Sequence, residues 1–180
     1  MRAHEAGALH GDLGNRGPAW LRTPEDVNAL VPQLWPRTVT RAGSGALEIG
    51  GVSVLDLAAE HGTPAYLLDE DDLRSRCRDF AAAFTGADVY YAGKSFLCKA
   101  VVQIIEEEGL FLDVCSGGEL AVALAAGFPA ERMGFHGNNK SVSELTRALD
   151  AGVGRIILDS FQEIDRLTAL PGSAAGGRRC

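Results

Sequence analysis

From Ala65 onward the chain alternates short apolar runs with longer stretches of helical period. The runs are Tyr66-Leu67-Leu68, Val89-Tyr90-Tyr91, Leu110-Phe111-Leu112, Met133-Gly134-Phe135 and Ile156-Ile157-Leu158, about 22 residues apart. Between them, apolar residues return once per helical turn. The sets are Leu73, Cys77, Phe80, Ala81 and Phe84; Val101, Val102, Ile104 and Ile105; Leu120, Ala121, Leu124 and Ala125; and Val142, Leu145 and Leu149. Five βα units predict parallel strands joined by crossover helices. So short a unit favours an α/β fold of the partial (β/α)8 TIM-barrel type over a Rossmann sheet, and the chain has no GxGxxG fingerprint.

Upstream, Ala46 to Val52 reads as a short strand with a glycine turn. A helix follows from Ser53, with Val54, Leu55, Leu57 and Ala58 on its apolar face and Gly62 and Pro64 as its stop. Residues 1–45 are rich in Gly, Pro and Arg without a sustained period and read as a weakly structured extension. Residues 46–167 then form the N-terminal part of a barrel. Residues 168–180 show neither period where the next strand is due and read as an aberrant or disordered tail.

Composition narrows the picture. With 180 residues, 46% of them hydrophobic, the chain can bury one sizeable core. A net charge of -7 excludes nucleic acid as a main partner, because phosphate binding needs a basic face. No apolar run approaches the roughly 18 residues of a membrane span, and Met1 to Trp20 has no secretory apolar core, so a cytoplasmic protein is expected. Four cysteines without a CxxC pair indicate neither a zinc site nor a disulfide framework. Cys77 and Cys98 fall in predicted helices as small buried hydrophobes, Cys115 lies at a strand end, and Cys180 is the last residue.

The residues just after the strands converge on one rim of such a barrel. Here they are Asp69, Lys94, Asp113, His136 and Asp159. Asp69 and Asp159 are each followed by a helix and suit N-caps. His136 suits either a hydrogen-bonded strand end or a place beside a cofactor. Asp113 precedes Val114-Cys115-Ser116-Gly117-Gly118-Glu119-Leu120, where two glycines let the backbone approach a ligand and Ser116 can cap the next helix. Lys94 is one of three lysines beside fourteen arginines. It is either a surface lysine on a βα loop or a working amine, since a desolvated lysine, unlike arginine, can condense with an aldehyde such as pyridoxal 5'-phosphate (PLP).

Three segments in order carry a family resemblance. Tyr91-Ala92-Gly93-Lys94-Ser95-Phe96, Asp113-Val114-Cys115-Ser116-Gly117-Gly118-Glu119-Leu120 and His136-Gly137-Asn138-Asn139-Lys140-Ser141 resemble the diaminopimelate decarboxylases, PLP-dependent enzymes on an alanine-racemase-like barrel. The similarity extends upstream through Leu34-Trp35-Pro36-Arg37-Thr38 and Gly62-Thr63-Pro64, and downstream to about Leu167. It implies decarboxylation of meso-diaminopimelate to L-lysine in lysine biosynthesis. Lys94 would hold PLP covalently, and Asp113 and His136 would lie against it. Lys140 would neutralise a nearby carboxylate or a solvent-facing loop. The resemblance also implies a homodimer for the full-length protein, with a small amino-acid substrate.

Members of the family are more than twice as long. The implied remainder carries a later histidine motif, a glycine-rich phosphate loop, the acidic partner of the pyridine nitrogen and a C-terminal β domain with a catalytic cysteine. The chain as given is therefore expected to be an inactive N-terminal part. The alternative is a PLP-binding barrel protein without catalytic activity.

Overall fold

The computed structural model describes Asp26 and residues 28–170. The tail expected over 168–180 lies outside these residues except for its first three, as do most of the extension and Cys180. The chain divides into two compact units at Val54 and Leu55.

The first unit carries a three-stranded antiparallel sheet of β1 (Thr40–Arg41), β2 (Leu47–Ile49) and β3 (Val52–Ser53). Ile49 pairs with Val52 across a two-residue turn whose residues, Gly50 and Gly51, have φ of 59° and 78°. A hairpin turn with two left-handed residues matches strand twist and admits glycine at both without strain. The expected strand and turn are therefore present. Thr40 and Arg41, which have no period of their own, are recruited opposite Glu48 and Leu47. Helix α1 (Val54–His61) follows and ends on Gly62.

The second unit contains α2 (Glu70–Ala83), β4 (Tyr90–Ala92), α3 (Lys99–Glu107), β5 (Phe111–Val114), α4 (Gly117–Ala125), β6 (Met133–Phe135), α5 (Val142–Ala151), β7 (Arg155–Ile156) and α6 (Phe161–Thr168). The four strands pair in parallel in the order β4-β5-β6-β7, each followed by a helix. This is the expected partial βα barrel. Strand alternation sorts β5 into two faces: Leu112 and Val114 are fully buried, while Phe111 and Asp113 are half-buried. Leu112, Val114, Met133 and Phe135 meet Val102, Ile105, Leu120, Leu145 and Ala148 from the helices in one core. Each large side chain there contributes roughly 1.5–3 kcal/mol by leaving water.

The first of the five apolar runs does not join the sheet. Tyr66, Leu67 and Leu68 form no strand and are exposed, Tyr66 completely. A strand exists only when a neighbour completes its ladder, and among the described residues no strand pairs with this run. The helix of that unit nevertheless forms, capped by Asp69, whose Oδ1 accepts the Asp72 N–H at 3.0 Å. Arg74 ties it to α3 by pairing with Glu107 at 2.7 Å and Glu108 at 3.1 Å.

Between α5 and β7 the backbone passes so close to the turn before β6 that a Cβ on Gly154 would lie 2.8 Å from the carbonyl carbon of Glu131 and nearer still to its oxygen. Gly154→Ala must displace backbone, so it is expected to cost about 3 kcal/mol and lower the melting temperature by roughly 10 °C. Gly152 has φ 78° but open space around its Cβ position, so Gly152→Ala should cost only about 1 kcal/mol. Thermal melts of the two variants distinguish steric crowding from backbone strain.

Candidate active site

The parallel register places one row of residues across the uncovered face of the sheet: Ala92 pairs with Asp113, Asp113 with Gly134, and Gly134 with Arg155. Because side chains alternate along each strand, Tyr90, His136 and Ile157 fall on this same face. Together these residues line a cavity of about 350 Å³. Gly134 keeps its centre open: a Cβ there would lie 3.2 Å from the Tyr90 ring and 3.6 Å from Asp113 Oδ1. Arg155, itself exposed, donates to Tyr90 Oη and Asp88 Oδ2, both at 2.6 Å.

Two of the three predicted site residues touch. His136 Nδ1 lies 3.5 Å from Asp113 Oδ2. His136 is placed by its backbone N–H, which extends the ladder to Val114 O at 2.8 Å, and by Gly137 beyond it. With φ 103°, Gly137 lets the loop turn against Cys115, whose carbonyl oxygen would lie 2.6 Å from any Cβ. Lys94 stands on the adjoining 3-10 turn, Gly93–Ser95, directly after β4. That turn rests against β5: a Cβ on Gly93 would come within 3.0 Å of Asp113 O. The turn is pinned by the Ser95 hydroxyl donating to Ala92 O at 2.6 Å and the Tyr91 hydroxyl donating to Phe96 O at 2.8 Å. Lys94 is exposed at the rim rather than among the cavity-lining residues.

Burial pushes the Asp113 carboxyl above its ordinary value, while the charges of His136 and Lys94 pull it back. Burial, with Asp113 and Glu119 nearby, likewise raises the Cys115 thiol, so this cysteine is no ready nucleophile. A raised folded-state carboxyl favours folding below its unfolded value of 3.8, and that contribution disappears as the pH rises through the folded value. Asp113→Asn should therefore raise the melting temperature at pH 7 by about 2 °C and by less near pH 4. Melts at the two pH values check the sign.

Three glutamates that the strand-end pattern does not pick out build the rim. Each is the third helical residue after a serine N-cap: Ser116 with Glu119, Ser141 with Glu144, and Ser160 with Glu163. Glu119 accepts the Cys115 N–H at 2.8 Å, and Glu163 accepts the Asp159 N–H at 2.9 Å. Glu144 forms a full capping box with Ser141 and also accepts the Gly117 N–H of the neighbouring unit at 2.6 Å. The S-x-x-E signature is legible in the sequence as a helix start. Its cross-unit reach is not. Ser116 caps its helix as expected, but Asp159 does not: Ser160 takes that place, and Asp159 sits one residue earlier with its own N–H held by Glu163. Cys77 is buried in α2, whereas Cys98 is the N-cap of α3 and half-buried.

Lys140 is fully buried, at 1% exposure, and its partner is the equally buried Glu163 at 3.0 Å. The carboxylate that this lysine neutralises thus comes from the next βα unit. Among the described residues there is no His, Cys, Asp and Glu cluster able to hold a metal ion, and no helix long and apolar enough to cross a membrane.

Residues 70–175 match the family described as "Pyridoxal-dependent decarboxylase, pyridoxal binding domain". The chain is 51% identical to the diaminopimelate decarboxylase of Mycobacterium leprae over 177 residues, 97% of this chain and 38% of that protein. It is 60% identical to the Mycobacterium bovis enzyme over 146 residues, 81% of this chain and 33% of the relative. It therefore spans about a third of the length of the curated relatives it matches. Among solved structures it is similar to AQ1208 from Aquifex aeolicus, with a TM-score of 0.68 at 35% identity over 72% of this chain and 32% of that one. It is also similar to the diaminopimelate decarboxylase of M. jannaschii in complex with L-lysine, with a TM-score of 0.64 at 25% identity over 73% and 32%. The family match covers most of the chain, from α2 through the strand-end lysine, Asp113 and His136, and the chain belongs to the pyridoxal-dependent decarboxylases, as part of their pyridoxal-binding domain.

Proposed function

We propose that this chain supplies the lysine-bearing part of a decarboxylase that converts meso-diaminopimelate to L-lysine and CO2, with Lys94 as the residue that binds PLP covalently. The observation that carries the proposal is the position of Lys94, on the turn that packs against Asp113 beside the Asp113–His136 contact. The residues fit the cofactor. An amine, a carboxyl and an imidazole face one rim, and the glycine at position 134 leaves a flat floor that any Cβ would fill. The substrate assignment is supported by the relatives' names and by the L-lysine complex of the M. jannaschii enzyme.

When bound, PLP supplies an electron sink for the pair left by the departing carboxylate. The chain's own residues prepare the site. The Lys94 Nζ is exposed at the rim, and a lysine amine must be deprotonated before it can attack a carbonyl carbon. Among the described residues it makes no hydrogen bond or ion pair that would have to break first. Asp113, held between Ala92 and Gly134, faces the His136 ring at Nδ1 and favours a proton on that nitrogen. Tyr90 and Arg155, joined by a hydrogen bond, line the cavity at the start of β4 and β7.

In this reading residues 46–167 are the N-terminal part of the barrel, with 1–45 as an extension and 168–180 as a tail. The whole protein works as a cytoplasmic homodimer on a free amino acid. Borohydride reduction of the chain incubated with PLP, followed by peptide mapping, tests the assignment. Pyridoxyl on Lys94 is the expected result. Label on Lys99 or Lys140 instead would overturn it.

A further inference from the structure

The buried Lys140–Glu163 pair belongs to neither the cavity nor the core, and it is made in an unusual way. The Lys140 ammonium has three N–H donors, and all three are placed: on Gly137 O at 2.5 Å, on Ile157 O at 2.6 Å and on Glu163 Oε1 at 3.0 Å. Glu163 in turn accepts the Asp159 N–H through its other oxygen, and Arg166 donates to Lys140 O at 3.0 Å. Burial pushes the Glu163 carboxyl up, but the Asp159 N–H and Lys140 outweigh it and hold the group below its ordinary range. One ammonium and one carboxylate thereby join the loop after β6, the end of β7 and the start of α6.

Stability alone gives no reason for an ion pair here. Removing two charges from water is costly, and an apolar pair of the same volume is often as stable or more so. An apolar pair cannot hold two strand-end carbonyls and a loop N–H at once. The loop so tied is the one that begins at His136, and Gly137, whose carbonyl Lys140 takes, is the residue next to it.

We propose that Lys140 and Glu163 are positioning residues for the cofactor site: by fixing the loop from His136 to Lys140 against the β7 end, they hold His136 in contact with Asp113. The inference rests on reading Asp113 and His136 as cofactor-facing, but its test does not require PLP. The test compares three variants of the whole chain: Glu163→Gln, Glu163→Leu and the apolar double variant Lys140→Met/Glu163→Leu. Circular dichroism and melting temperature report the fold. The ring 15N shifts of His136 report which nitrogen carries the proton, and exchange of the His136 and Ile157 amides, neither of which bonds to Glu163, reports loop order.

Glu163→Gln keeps one acceptor but sets an NH2 group against either the Asp159 N–H or the Lys140 ammonium, and should move the His136 ring signature part of the way toward that of the double variant. The double variant should melt near the parent temperature, yet exchange the His136 amide at least about tenfold faster and show the ring signature of an imidazole released from Asp113. Glu163→Leu alone leaves a buried, uncompensated ammonium and should be the least stable of the three. If it does not fold, the comparison of the parent chain with the double variant still decides. A double variant that keeps both the slow exchange and the parental ring signature would overturn the proposal and leave the pair as an element of the core. Absence of pyridoxyl on Lys94 in the parent chain would instead overturn the cofactor reading, whatever the loop does.

Discussion

Replacing Lys94 with alanine is expected to abolish covalent capture of PLP: no visible absorbance from the bound cofactor, no pyridoxyl label after borohydride, and no decarboxylation in any protein that contains this segment. The effect is large because neither other lysine can substitute. Lys140 is buried with all three donors committed, and Lys99 is the first residue of α3, five positions beyond Lys94. Lys94→Arg should fare no better, since a guanidinium keeps the charge but cannot condense with an aldehyde. Absorbance titration with PLP and mass mapping measure both variants. Retention of the label at wild-type level by Lys94→Ala would show that the strand-end amine is not the attachment point.

The second large effect concerns turnover. The 180-residue chain alone, supplied with PLP, should release CO2 from meso-diaminopimelate at least about a thousandfold more slowly than a complete relative, because rate depends on preorganised contacts around the reacting atoms more than on the lysine itself. The described residues offer an amine, Asp113 and His136 on one open face, and the chain spans about a third of its relatives' length. A covalent link holds only one end of a cofactor. Turnover within tenfold of the complete enzyme would mean that the groups stabilising the reaction already lie between α2 and α6.

Strand-end logic located positions where local pattern and tertiary arrangement coincide. Lys94 and His136 follow the runs that become β4 and β6, Asp113 lies within β5, and parallel pairing in register brings such residues toward one rim whatever their separation along the chain. It failed where the outcome depends on a neighbour that local sequence does not name. Tyr66 to Leu68 has the same apolar character as the other runs, yet a strand exists only when a ladder completes it. Asp159 has the right chemistry for an N-cap, but Ser160 occupies the position, and one residue of register separates the two.

The periodicity and the punctuation of glycines, serines and prolines determined that this chain would make βα units, where the helices would begin, and which side chains would stand at strand ends, because each depends on interactions within a few residues. The tertiary structure alone decided that Glu144 reaches Gly117, that Glu163 reaches Lys140, and that a lysine in a polar loop lies fully buried. Those contacts join groups 23 to 27 positions apart. Such pairs are chosen by the packing of one βα unit on the next, a geometry that no local pattern of hydrophobic and polar residues encodes.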